Sequence, residues 1–255
     1  MSCQLLIYHL VIERPGIYLL EIQRELSDLM LVDVNIATIC RFLCNNGFSR
    51  QKLRHVALQQ DAFLREQYVM DVSVYNADMF VFVDETGADR RNSLRKYGYS
   101  LRGRPAIDHS LLVRGERVSA IACMSVNGLL DVKTVRGTCD EDTFYDFVHT
   151  HLMPHLMPFN GINPHSVVVL DNCSIHHVVE VKRMLEEIGV LVHYLPPYSP
   201  DFNPIEEAFS KVKYQLRAEN DDTNDIETIL LKCFTTITIE DCCGWVKHPG
   251  IYNQY

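Results

Sequence analysis

Two apolar runs of the chain each lead straight into an aspartate: Val83 is followed by Asp84, and Leu170 by Asp171. A carboxylate at the end of a buried strand is unfavourable unless something offsets its charge, and a divalent cation does so. Neighbouring strands lie about 4.8 Å apart. If the two runs are adjacent and parallel, their aspartates come within reach of one cation. A third carboxylate belongs to the tetrapeptide Asn203-Pro204-Ile205-Glu206, which reads as a helix start with Asn203 as N-cap and Pro204 at the first helical position. Ile205, Ala208, Phe209, Val212 and Leu216 form the buried stripe of that helix. Glu206 falls about 100° from Ile205, on the margin of the stripe, and Glu207 falls on the solvent side. Glu206 is thus the acid that can look back at a sheet edge, and a helix N-terminus favours its ionised form. The same residue also fits the N3 position of a capping box, bonding the Asn203 amide. Both readings stand. Glu85 points away from Asp84 if the pleat continues, which makes it a spectator.

The elements that must position these acids alternate in period. Residues 79–83 are a continuous apolar run suited to a strand buried on both faces. Residues 118–124 and 129–135 read as two more strands, joined at Asn127-Gly128, a strong hairpin signal. A helix is expected over 143–155, a strand over 167–170, a helix over 176–187 closed by Gly189, and a strand over 190–195. The Pro-rich turn at 196–200 leads to the helix of Glu206, expected over 204–217, and one more helix is expected between 226 and 242. A meander of three strands followed by alternating helix and strand indicates a mixed α/β sheet covered by helices.

Ahead of it lies a helical segment. Leu19, Ile22 and Leu26, then Ile36, Ile39, Cys40 and Leu43, repeat at helical spacing, with Asn35 as an N-cap and Gly47 just past the second helix. With a third helical stretch near 56–70 they read as a helix-turn-helix, or as a plain helical hairpin used for packing. Arg41 is the basic residue that the second helix offers to DNA. Two domains are expected, residues 1–70 and residues 71–255.

The bulk numbers bound the class. The chain has 255 residues, 47% of them apolar and 22% charged, enough to bury a sizeable core and too apolar for global disorder. No apolar run approaches the 20 or so residues of a membrane span. Residues 4–12 lack the basic flank and cleavage site of a secretory signal, so an intracellular protein is expected. Nine cysteines without paired CxxC spacing argue against a disulfide scaffold or a structural zinc site, and free, mostly buried thiols are expected. The formal charge is −9. Residues 1–70 hold seven basic and seven acidic residues, so the whole deficit lies in 71–255.

Three segments resemble the catalytic domain of DDE transposases of the mariner-like superfamily: FVFVDETG at 80–87, VVVLDNCSIHH at 167–177 and YLPPYSPDFNPIEEAFSKVK at 194–213. Between Asp171 and Glu206 lie residues 172–205, 34 in all, the spacing of one major branch of that superfamily. The resemblance covers residues 79–217, and its third segment is the most specific. The N-terminal part is similar to the second helix-turn-helix of the paired-like DNA-binding region of these proteins.

The resemblance implies an RNase H-like α/β fold, a mixed sheet flanked by helices, with a small N-terminal helix-turn-helix (winged-helix-like) module. It implies that Asp84, Asp171 and Glu206 are the catalytic, metal-binding triad. Such a triad holds two Mg²⁺ or Mn²⁺ ions about 3.5–4 Å apart for in-line displacement at phosphorus. The implied partners are double-stranded DNA, as transposon ends and target, and a second copy of the chain in a homodimer. The implied location is the nucleus if the host is eukaryotic. Arg90, Arg91, Arg95, Lys96, Arg102 and Arg104, with Tyr97 and Tyr99 between them, form a basic stretch suited to a phosphate backbone, or a solvated basic loop. Lys211, Lys213 and Arg217 extend the same character from the Glu206 helix. His176 orients groups near Asp171 or makes a structural hydrogen bond. The acidic balance, with Glu219, Asp221, Asp222, Asp225 and Glu227 clustered, sustains a second reading: a truncated or host-retained derivative that binds DNA or a partner without catalysis.

Overall fold

The computed structural model describes residues 2–53, 57, 59–89, 99–107, 117–173, 176, 179–219 and 225–252. The chain divides into two units, Met1–Ala57 and Leu58–Tyr255.

The first unit holds three helices: α1 (Cys3–Glu13), α2 (Leu19–Met30) and α3 (Ile36–Asn45). Leu6, Ile7 and Leu10 of α1 pack with Ile22 and Leu26 of α2 and Ile39 of α3. The Asn35 side chain accepts from the Ala37 N–H at 2.8 Å, the cap expected of it. Gly47 takes φ +81° just beyond α3, a left-handed conformation that favours glycine. The pattern did not reveal α1, because its sequence CQLLIYHLVIE is apolar on most sides and shows little 3.6-residue contrast.

The second unit opens with α4 (Ala62–Val72), which the pattern groups with the preceding helices. Its Tyr68 and Val72 are instead buried with Phe80 and Phe82 of the sheet. The sheet has five strands: β1 (Phe80–Ala88), β2 (Val118–Ser125), β3 (Gly128–Arg136), β4 (Val167–Leu170) and β5 (Leu191–Tyr194), in the order β3-β2-β1-β4-β5. The first three form an antiparallel meander, and β1–β4 and β4–β5 are parallel. Helices α5 (Glu141–Phe147), α6 (Val179–Ile188), α7 (Ile205–Glu219), α8 (Ile226–Phe234) and α9 (Ile239–Lys247) complete it. Beyond α5 the chain continues through a π turn to Leu152 and a 3-10 turn to His155, spanning the single helix expected over 143–155.

Alternation along the strands sorts the core into two layers. Phe80, Phe82, Val167 and Val169 meet Ile205, Ala208, Phe209, Val212 and Leu216 of α7, with α8 and α9 behind. Val81, Val83, Val168 and Leu170 meet Phe144, Phe147, Val181 and Leu185 of α5 and α6 on the other face. Each fully buried side chain of this size contributes about 1.5–3 kcal/mol.

Two expectations are corrected. The region 226–242 holds two helices rather than one, because Thr238 caps a new start: its hydroxyl accepts from the Asp241 N–H while the Asp241 side chain accepts from the Thr238 N–H. All nine cysteines are free, but Cys123, Cys233 and Cys242 alone are buried, and Cys40, Cys44 and Cys173 are exposed. Among the described residues, no helix is long and apolar enough to cross a membrane.

Candidate active site

Asp84 does not end its strand. It lies mid-way along β1, opposite Ala122 of β2, and the strand runs on to Ala88. Asp171 is the first residue after β4. The parallel register pairs Phe82 with Val169, and two residues further along the chain from each come Asp84, still in β1, and Asp171, just past β4. Both aspartates therefore share the parity of the face that α7 covers. The first turn of α7 carries Glu206. The adjacency required of the two apolar runs is met, and the helix brings the third acid to the same region.

The electrostatics report the closeness of the three. Asp84 is 7% exposed. Burial, then the charges of Glu206 and Asp171, push its carboxyl from the usual 3.8 to about 8, against the opposing bond from the Glu85 N–H. Glu206 is solvent-accessible, yet partial desolvation and Asp171 raise its carboxyl while Lys213 opposes them.

Asn203 does something the sequence reading missed. Its backbone carbonyl accepts the Glu206 N–H at 3.2 Å, as an N-cap should, and its own N–H donates to the Pro200 carbonyl at 3.0 Å. The capping-box alternative for Glu206 is therefore not realised. The side chain is spent elsewhere: Nδ2 donates to Asp84 Oδ2 at 3.0 Å, while the Glu85 N–H donates to Asp84 Oδ1 at 2.7 Å. A buried carboxyl oxygen that needs a donor takes the side chain, and backbone groups serve the cap in its place. Asn203 Oδ1 is buried without a hydrogen-bond partner, an unspent oxygen beside the acids. Nothing local in the sequence signals this; the only hint is an asparagine whose capping role proves replaceable by backbone.

His176 and Glu85 were also underread. His176 is fully buried, its Nδ1 lies 2.5 Å from Asp171 Oδ1, and its Nε2 lies 2.7 Å from Glu85 Oε1. Burial pulls its pKa down, but the bonds to Asp171 and Glu85 prevail and lift it to about 10. Glu85 does point away from Asp84, as the pleat requires, yet it is no spectator. An acid on an apolar sheet face must find a donor, and that requirement was the available signal.

The basic residues are less gathered. Arg90, Arg91, Arg95 and Lys96 lie outside the described residues. Arg102 and Arg104 are exposed in the loop at 99–107. Lys213 is half-buried on α7, near enough to act on Glu206. Lys211 is ion-paired with Asp241 instead. Arg41 is exposed on α3, with Nε donating to the Ala37 carbonyl at 3.3 Å.

Among the described residues, no three His, Cys, Asp or Glu side chains converge tightly enough to cage one ion. A structural zinc site demands such a cage. A hard Mg²⁺-type ion does not: one or two carboxylates suffice, with water and substrate phosphate completing the shell. The donors here are all oxygen, from Asp84, Asp171 and Glu206 with Asn203 Oδ1 beside them, and Asp84 is a buried acid whose neighbours repel its charge. These residues fit a hard divalent cation.

A five-stranded mixed sheet of this order, with carboxylates on its central strand, just past the neighbouring strand and on the helix after β5, has the RNase H-like fold. The sequence matches the DDE superfamily endonuclease family over residues 79–229, more than half of the chain, and the chain belongs to that family. Comparison with curated proteins finds no match. Among solved structures the chain is similar to the Mos1 strand transfer complex, with TM-score 0.74 and 17% identity over 98% of this chain and 75% of that one. It is also similar to the mariner Mos1 paired end complex with Mg, at TM-score 0.72 and 17% identity over 96% and 75%. The isolated catalytic domain of Mos1 mariner transposase matches at TM-score 0.54 and 14% identity over 79% of this chain and 94% of that one. At these identities the likeness is one of fold.

Proposed function

We propose that the chain is a transposase-type endonuclease that cleaves DNA strands and transfers them, using Mg²⁺ or Mn²⁺ held by Asp84, Asp171 and Glu206. The observation that carries this reading is the buried Asp84, raised to about 8 by burial and by the charges of Glu206 and Asp171. A site that concentrates negative charge in this way is made to receive cations. The similar Mos1 structures include strand transfer and paired end complexes, the latter with Mg or Mn, which supports the same chemistry here.

In this reading Asp84 is fixed by two donors, Asn203 Nδ2 and the Glu85 N–H, so its oxygens meet a cation without reorganising. Glu206 enters from a helix and reaches solvent, where a phosphodiester would lie. When bound, a pair of ions supplies Lewis acidity, easing deprotonation of the attacking water or 3′-hydroxyl and stabilising the leaving oxygen. No serine or cysteine nucleophile is required. The N-terminal helices and the exposed Arg41, Arg102 and Arg104 serve duplex DNA, with transposon ends and target as the substrates, a homodimer as the working form, and the nucleus as the site of action in a eukaryotic host.

The test is Mn²⁺-dependent nicking of supercoiled plasmid. Asp84→Asn, Asp171→Asn and Glu206→Gln each abolish it, and wild-type cutting by any one removes that residue from the triad. The acidic charge of the chain sustains a second reading, a derivative that retains the fold and binds a partner, or DNA, without catalysis. Calorimetry with Mn²⁺ separates the two, since carboxylate-dependent heat is expected of the enzyme alone.

A further inference from the structure

We propose that Glu85 and His176 are positioning residues of the metal site, a brace that anchors the Asp171 carboxylate to the central strand. The inference rests on the cation-binding reading of Asp84, Asp171 and Glu206.

The problem the brace solves is visible in the fold. Asp84 is held within a central strand, whereas Asp171 has already left β4, and the next two residues, Asn172 and Cys173, are exposed. A carboxylate there is defined only by what grips it. His176 grips it: Nδ1 is 2.5 Å from Asp171 Oδ1, and the Cys173 N–H donates to the same oxygen at 3.0 Å. The imidazole is itself immobilised. It is fully buried, its ring centroid is 4.4 Å from that of Phe144, and the Tyr194 hydroxyl donates to the His176 carbonyl at 3.2 Å.

The far nitrogen completes the connection, with Nε2 2.7 Å from Glu85 Oε1. Ionised carboxylates only accept, so each ring nitrogen serves as a donor between two acids. Glu85 follows Asp84 in β1, and the pleat sends the two to opposite faces. One strand thus supplies a ligand on the α7 side and a strut on the α5–α6 side. Partners that hold a metal ligand by its second oxygen or nitrogen characteristically change metal affinity 10–100-fold when removed. A merely structural buried ion pair predicts a loss of stability with no change in metal binding.

The test uses the full chain, Mn²⁺ alone as probe, and electron paramagnetic resonance to read free against bound ion. His176→Gln fills the space but cannot span both acids, and a 10–100-fold weaker Mn²⁺ affinity is expected. Glu85→Ala is expected to weaken binding in the same range, and Glu85→Gln, which still accepts from Nε2–H, to restore most of it. Because Glu85 acts through His176, Glu85→Ala should add nothing in the His176→Gln background. In plasmid nicking, higher Mn²⁺ should recover both variants but not Asp171→Asn.

Unchanged Mn²⁺ affinity in folded His176→Gln, or a full additional loss from Glu85→Ala in that background, overturns the brace. Should His176→Gln not unfold cooperatively, the contrast between Glu85→Ala and Glu85→Gln decides alone: equal affinities overturn it. Wild-type chain that binds no Mn²⁺ overturns the underlying cation reading and the brace together, a result distinct from wild-type binding that the variants leave untouched.

Discussion

Asp84 and Asp171 each lie two residues beyond the paired Phe82 and Val169 of β1 and β4, yet each is held from a different side of the sheet. Asn203 reaches Asp84 from the turn before α7, and His176 reaches Asp171 with Glu85 behind it on the α5–α6 side. The two acids are thus fixed independently, and substitutions on the two sides should separate in their effects.

Asp84→Asn is expected to stabilise the chain in EDTA while abolishing nicking. Removing a buried charge that faces two other acids relieves a few kcal/mol, and one lost hydrogen bond from the Glu85 N–H or Asn203 returns about 1 kcal/mol of that. A net gain of about 2 kcal/mol corresponds to a rise of about 4–8 °C in Tm for a unit of this size. Thermal unfolding of both forms at pH 8 checks it. A lower Tm for the variant would show that the charge is already compensated.

Asn203→Ala should cost about 1.5–3 kcal/mol, the range for a hydrogen bond to a charged group. It should also weaken Mn²⁺ binding, since Asp84 loses the donor on Oδ2. Urea unfolding and Mn²⁺ titration measure the two effects, and a change in stability without one in affinity would confine Asn203 to packing.

Tyr252→Phe tests how the turn bearing Asn203 is supported. The Tyr252 hydroxyl donates to the Phe202 carbonyl at 2.7 Å and lies 3.1 Å from the Tyr68 hydroxyl, all buried. Its ring packs 4.8 Å from those of Phe80 and Phe82, contacts that the variant keeps. Leaving the carbonyl and the Tyr68 hydroxyl short of a partner should cost about 1–3 kcal/mol. A midpoint in urea equal to that of wild type contradicts this.

His193 predicts an acid limb of stability. Burial holds its pKa below the usual 6.5, against the opposing charge of Asp71. Above 6.5 the folded and unfolded chains are both neutral at this group and stability is unaffected. As pH falls below 6.5, the unfolded chain takes up the proton first, so stability declines until the depressed folded value is passed. His193→Phe, which keeps an aromatic beside Tyr75, should flatten the limb in Tm measured from pH 7.5 to 5. An identical slope in the variant would assign the limb to other groups.

Much of the scaffold was readable in advance because its signals are local. The apolar run at 167–170, the Asn127-Gly128 hairpin, the Asn35 cap and the stripe from Ile205 to Leu216 each follow from periods of 2 or 3.6 residues and turn chemistry. Where local contrast fades, so did the reading: α1 is apolar nearly all round, and the break between α8 and α9 contains neither Gly nor Pro.

The linear order of residues determined by itself which acids are available, that two follow buried runs, that the third opens an amphipathic helix, and that the family pattern joins them. Tertiary structure alone decided that β1 lies beside β4 in the register that pairs Phe82 with Val169, two residues short of Asp84 and Asp171. It also decided that Asn203 abandons its cap for a carboxylate 119 residues away, and that Glu85 meets His176 across 91 residues. The reason is physical. Periodicity tells a residue which face it occupies, but the partner on that face depends on strand order and on the competition among buried polar groups for donors, and both are settled only when the sheet closes over its helices.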